Sequence, residues 1–236
     1  YRWAYRDAER ALDATIPNDV GEEHDINGTR LDYIMRDCAR SIQYLRHRAA
    51  DWNIDSARVG AWGSSAGAGC VMWAAAMPEL AHPNHPDPVL RQSSRLAVAG
   101  HNNGQVTYDF LRWPELLGFE AEWTRTMVSE KAQALAQMTW DQQTESAEGQ
   151  GLSRVLDYYG ALSGDDPPFM TVSGAMNTGM DDIQRSGEVI HHVRGHTALY
   201  ERCQALGLGC AIQTPALTEG FDGDLVGFLI AHLIAD

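Results

Sequence analysis

Val59-Gly60-Ala61-Trp62-Gly63-Ser64-Ser65-Ala66-Gly67-Ala68-Gly69 reads as a short strand, a tight turn and the start of a helix. Within it, Gly63-x-Ser65-x-Gly67 has the spacing of a nucleophile elbow, in which a serine sits on a strained strand-to-helix turn. No side chain from Gly63 to Gly69 is bulky, as a helix folding back against its strand at close range requires. In that geometry the Ser65 hydroxyl faces a cleft. The N–H of Ala66, opening the next helix, points at a developing oxyanion. A glycine- and serine-rich loop capping a helix is the plainer alternative; the strand and helix patterns on the correct sides favour the elbow.

The flanking pattern alternates between the two periods. Upstream, Leu31, Ile34, Met35, Cys38, Ile42 and Leu45 recur at helical spacing and predict an amphipathic helix from Thr29 to Asp51, with Arg36, Asp37 and Arg40 on its other face. Ala57–Trp62 is the strand that feeds the turn. Before it, Tyr1–Tyr5 reads as the end of a strand, and an acidic loop runs to Gly28. Downstream, Gly67–Met77 is a small, apolar helix, 81–94 a loop, and Arg95–Gly100 a strand leading into His101. Residues 105–160 are tryptophan-rich, helical in places and polar at 142–150, the pattern of an inserted lid. Strands at Phe169–Gly174 and Cys210–Thr214 bracket a loop to Glu188 and a helix at His192–Leu206; a helix at Asp222–Ala235 closes the chain. Strand–helix alternation of this kind predicts an α/β domain over residues 1–236, with a mostly parallel sheet covered on both faces.

Bulk properties narrow the function classes. The 236 residues are 44% apolar and 21% charged, an ordinary globular balance. With 18 basic against 32 acidic residues, the net charge of −14 argues against nucleic acid and anionic membranes as partners. No apolar run approaches the ~20 residues of a membrane span. Four cysteines are too few for a disulfide framework. Cys38 and Cys70 read as buried thiols, and Cys203 and Cys210 as a pair that closes only in an exported protein. The compartment, cytoplasmic or exported after processing, stays open.

Several segments in order resemble an α/β-hydrolase of the carboxylesterase and lipase-like kind, near the hormone-sensitive-lipase and feruloyl/acetyl-xylan-esterase-like branches. These are Tyr1-Arg2, the run Asp37-Cys38-Ala39-Arg40-Ser41-Ile42-Gln43-Tyr44-Leu45-Arg46, Trp52-Asn53-Ile54-Asp55-x-x-Arg58-Val59, the Gly63–Ala68 elbow, and Asp165-Asp166-Pro167-Pro168. The resemblance implies a serine ester hydrolase acting through an acyl-enzyme on Ser65, without cofactor or metal, on a small-molecule ester. It also implies a His-Gly-Gly-type oxyanion loop and further strands upstream of Tyr1, to be supplied by a separate N-terminal segment or a second copy of the chain. One departure concerns the base. The family places its histidine after the last strand, where this chain reads Pro215-Ala216-Leu217-Thr218-Glu219-Gly220-Phe221-Asp222. His232 falls deep in the terminal helix.

The remaining candidates follow from what a serine needs. A hydroxyl is a weak nucleophile at neutral pH and requires a base to take its proton. His191, His192 and His196 cluster beyond the strand that usually carries the acid. His191 or His192 is therefore the expected base, oriented by Asp182 or Asp181. Surface hydrogen bonding is the plainer role for these histidines, and a solvated loop for the aspartates. His192 and His196 also have zinc-capable spacing, but no third ligand accompanies them. His101 either lines the cleft or packs, and Trp113, Trp123 and Trp140 either line an acyl pocket or fill the core. Asp165 and Asp166 fix the turn before Pro167. The second functional reading is a hydrolase homologue with an impaired triad that binds a ligand or protein through the old cleft.

Overall fold

Leu31, Met35, Ala39 and Ile42 line one face of the first helix in the computed structural model, which describes residues 30–234. The strand expected at Tyr1–Tyr5, the loop expected to Gly28, and the helix ends expected at Thr29 and Ala235 lie outside those residues. Helix α1 (Leu31–His47) stops short of the expected Asp51, because the chain bends at Arg48 (φ −94°, ψ 3°). It resumes as α2 (Ala49–Trp52), which Asn53 ends in the left-handed region at φ 53°.

Strand β1 (Gly60–Ser64) pairs in parallel with β2 (Val98–Asn102), residue for residue from Gly60 opposite Val98 to Ser64 opposite Asn102. Both strands begin about three residues later than the sequence pattern predicts. Arg95 explains the second shift: its guanidinium binds Met77 O and the buried carboxylate of Asp166, so the chain there is a clamp rather than a ladder. Asp166 also accepts from Ser163 N–H, and Asp165 from the Ser163 hydroxyl, fixing the turn before Pro167.

Strands β3 (Phe169–Val172) and β4 (Cys210–Gln213) extend the parallel sheet, and β5 (Thr218–Glu219) adds an antiparallel edge, giving the order β1-β2-β3-β4-β5. The sequence does not announce β5, which is two exposed residues long.

Alternation along the strands builds two cores. Val98, Met170 and Ala211 face one way and are covered by Phe228 and Leu229 of the terminal helix (Leu225–Ile234). Ala99 and Phe169 face the other way, into a larger core with Met35, Met72, Leu199 and the residues of the 105–160 segment. Helix α3 (Ala66–Ala76) packs on β1 and β2 there, with α1 behind it. Gly100 has no side chain because a Cβ would lie 2.6 Å from Trp62 Cβ and 3.0 Å from the terminal helix at Leu225.

The 105–160 segment is more helical than its polar composition predicts. It folds as α4 (Trp113–Leu117), α5 (Ala121–Ala136), α6 (Trp140–Glu145), α7 (Ala147–Leu156) and α8 (Tyr158–Ala161). Caps explain the difference: Thr139 and Gln142 form a reciprocal capping box, and Ser146 accepts from Gly149 N–H. Two helices follow β3, α9 (Ser186–Ile190) and α10 (Val193–Ala205), where one was expected; α5 packs on α9, and α4 on α10. Among the described residues no helix is long and apolar enough to cross a membrane.

Candidate active site

β1 runs out at Ser64, and Ser65 takes φ 52° and ψ −120° before α3 begins at Ala66. A non-glycine residue in that region stores about 1–3 kcal/mol, so its surroundings must hold it there. Ser65 N–H donates to Asn102 O (3.0 Å), and Ser65 O accepts from the N–H groups of Ala68 (3.0 Å) and Gly69 (3.2 Å). A Cβ on Gly63 would overlap the Gly67 carbonyl and come 2.7 Å from Ala68 N, which is the close return the motif implies. Gly69 leaves room for the Tyr108 ring, whose hydroxyl donates to Ala66 O at 3.2 Å. Crowding does not extend through the whole run, however, since a Cβ on Gly67 would meet nothing within 4 Å.

Ala66 is exposed and is the first residue of an 11-residue helix, where N–H groups have no intrahelical acceptor. The Ser65 hydroxyl lies 3.3 Å from Nε2 of His191, 126 residues further along the chain. His191 ends α9 at φ −107°, and His192 then turns into extended backbone at φ −64°, ψ 136° to cap α10. That break sends the adjacent rings to different surroundings. His192 is buried, accepts from Arg194 N–H at Nδ1 (3.3 Å), and donates from Nε2 to Thr178 O (3.1 Å). Its ring packs edge-on against Phe119 at 5.0 Å, and burial pushes its pKa below the usual histidine value. The structure therefore brings His191, and not His192, to Ser65.

Asp181 and Asp182 sit on an exposed single turn, Met180–Asp182, and their carboxylates make no hydrogen bond or ion pair among the described residues. His191 Nδ1 is buried and has no partner among the described residues.

Beneath the elbow lies a buried polar chain. His101 on β2 and Thr171 on β3 stand opposite each other in the ladder. Their side chains meet at 2.9 Å, and Thr171 Oγ1 also lies 2.6 Å from Nδ1 of His196 on α10. His101 Nε2 donates to Gln105 O at 3.0 Å. All three side chains are fully buried. Burial pushes His101 down to about 4 and His196 well below the usual range, with neighbouring histidines adding to both. The sequence signal for His101 was its place directly after the strand pattern of Arg95–Gly100; Thr171 carried none.

A pH dependence follows from these depressed values. The unfolded chain takes up a proton near 6.5, but the folded His101 only near 4. Its stabilising contribution is thus whole above pH 6.5 and is lost as the pH falls, at about 1.4 kcal/mol per pH unit. Melting temperature is expected to drop by several degrees between pH 7 and pH 5, with a shallower fall in His101→Asn. A flat profile over that interval contradicts the burial of neutral histidines.

Of the tryptophans, Trp113 is wholly buried and donates its indole N–H to Thr107 O at 3.0 Å. Trp123 packs on Phe119 at 5.3 Å, and Trp140 lies under Arg125. All four cysteines are free, and the Cys203 and Cys210 thiols are neighbours.

The solved structures similar to this one include these three. An acetyl ester-xyloside bifunctional hydrolase from Caldicellulosiruptor lactoaceticus matches with a TM-score of 0.56 at 17% identity, over 83% of this chain and 58% of that one. A truncated carbohydrate esterase from gut microbiota matches with a TM-score of 0.58 at 16% identity, over 85% and 68%. An esterase from the planctomycete Thermogutta terrifontis matches with a TM-score of 0.52 at 16% identity, over 79% and 54%. This chain thus spans 58% of the first of these proteins and 54% of the third. No family model and no curated protein matches the chain. At such identities the likeness concerns the fold alone, an α/β arrangement consistent with the hydrolase fold that the sequence resemblance implies.

Proposed function

We propose that this chain hydrolyses carboxylic esters through an acyl-enzyme on Ser65. The observation that carries the reading is the strained Ser65 turn with its hydroxyl 3.3 Å from His191 Nε2. As the Ser65 oxygen attacks the ester carbonyl, His191 Nε2 takes the hydroxyl proton. Negative charge gathers on the carbonyl oxygen, where the Ala66 N–H at the helix start stabilises it. Collapse of this intermediate expels the alcohol, which leaves with the proton from His191. Water then attacks the acyl-enzyme, losing its proton to His191; the second intermediate collapses, His191 returns that proton to the Ser65 oxygen, and the carboxylic acid leaves. His192, with both ring nitrogens engaged, holds the α9–α10 junction instead. The similar structures are named for acetyl and carbohydrate esters, which supports an ester carbonyl as the target. The helical 105–160 segment, packed on the helices that flank His191, is read as the lid.

A fluorophosphonate probe tests this reading. A single adduct is expected on the peptide containing Ser65, lost in His191→Ala and kept in His192→Ala. The unpartnered His191 Nδ1 favours the second reading, a binding module with an impaired triad. An unlabelled Ser65 in the folded chain would select that reading and refute hydrolysis.

A further inference from the structure

Directionality along the buried chain beneath Ser65 decides how His191 is held. The Gln105 carbonyl can only accept, so His101 Nε2 carries the proton in that 3.0 Å bond. A neutral His101 then has a lone pair at Nδ1, and the Thr171 hydroxyl donates to it. Thr171 Oγ1 in turn accepts from His196 Nδ1–H at 2.6 Å. His196 Nε2 is therefore left as a lone pair, buried and without a partner. His191 shows the complementary defect. Its Nε2 must accept from Ser65, so its Nδ1 carries a proton, which is buried and without an acceptor. One orphan donor and one orphan acceptor are thus both buried, on rings near enough that His191 acts electrostatically on His196. Asn102, next to His101, bonds Ser65 N–H, and a Cβ on Gly104 would lie 2.5 Å from Ala68 of the elbow helix. Leaving either atom unpaired costs about 1–3 kcal/mol, so pairing them is favoured by both.

We propose that His196 is the positioning residue for the His191 base, its Nε2 lone pair accepting the His191 Nδ1–H, through a bridging water or directly on closure of the site, where related folds use a carboxylate. This inference rests on the ester-hydrolase reading for its catalytic consequence but not for its geometry. No proton crosses to His196. Its lone pair fixes the His191 tautomer and ring angle, leaving Nε2 free for the Ser65 hydroxyl. Burial suits this role, since a neutral His196 keeps its acceptor at working pH.

The test uses 15N-labelled full-length chain. In the parent, the His191 ring is expected as the Nδ1–H tautomer near neutral pH. His196→Phe should shift it toward the Nε2–H form and lower kcat for p-nitrophenyl acetate by about 100-fold with KM nearly unchanged. His196→Gln, which keeps an acceptor oxygen, should recover most of that loss. Thr171→Val, which frees the His196 tautomer without altering ring volume, should move the same spectrum and lower kcat by about 10-fold; it serves if His196→Phe does not fold. A His191 tautomer unmoved by these variants overturns the proposal. So does one moved instead by Asp182→Asn, or by Gln105→Leu, whose Oε1 is also buried and unpaired. If the tautomer responds while the parent shows no fluorophosphonate adduct, the positioning stands and the hydrolase reading fails.

Discussion

Ser65→Gly is expected to abolish ester turnover, by at least about 1,000-fold, and to raise the melting temperature by about 3 °C. The first effect is loss of the nucleophile, after which only binding and the oxyanion donor remain. The second comes from the backbone. Ser65 holds φ 52° and ψ −120°, a region that costs a residue with a Cβ about 1–3 kcal/mol and costs glycine nothing sterically. Glycine returns about 0.5–1 kcal/mol of that gain as extra freedom in the unfolded chain. The net is about 1 kcal/mol, or roughly 3 °C for a protein of this size. The backbone bonds from Ser65 N–H and to Ser65 O remain available to glycine. Calorimetry and an aryl-ester assay on the same preparations settle both arms. A Ser65→Gly protein that melts below the parent would mean the turn is not strained, and retained turnover would remove Ser65 from the chemistry.

Gly63→Ala and Gly67→Ala should diverge sharply, although they are the two glycines of one motif. A methyl on Gly63 would occupy the space of the Gly67 carbonyl, and backbone on both sides leaves nothing flexible to yield. The elbow must open, and we expect a loss of several kcal/mol, on the order of 3 or more, with little folded protein recovered. A methyl on Gly67 meets nothing within 4 Å and sits at the second position of α3, where alanine favours the helix. That substitution should be neutral or stabilising by up to about 1 kcal/mol. Urea unfolding of the two variants compares them directly, and equal losses would refute the packing described for this turn.

The elbow was legible because its chemistry is local: small residues, a strand pattern before and a helix pattern after all fall within Val59–Gly69. Helix α1 was legible for the same reason, from six apolar residues at helical spacing, of which Leu31, Met35 and Ile42 are buried. The base was not. His191 and His192 are neighbours of one residue type, and only the break between α9 and α10 sends one ring to Ser65 and the other to Thr178 O. No periodicity announces such a break, since it depends on α4 and α5 packing against α9 and α10. The link among His101, Thr171 and His196 was hidden for a further reason. Its members come from three elements and meet only because β2 and β3 place positions 101 and 171 in register. The edge strand β5 escaped notice because two exposed residues carry too little pattern.

The span of the Ser65–His191 contact has a kinetic consequence. Its two atoms are separated by 126 residues, with β2, the helical 105–160 segment and β3 all between them. A contact that distant is rewarded only after the intervening loop has been closed and its entropy surrendered. Local helices such as α1 and α5 can form much earlier. During refolding, helical signal should therefore recover first and the Ser65–His191 contact last. The Ser65–His191 contact thus acts as a clock for the final stage of assembly, silent in every partly built chain.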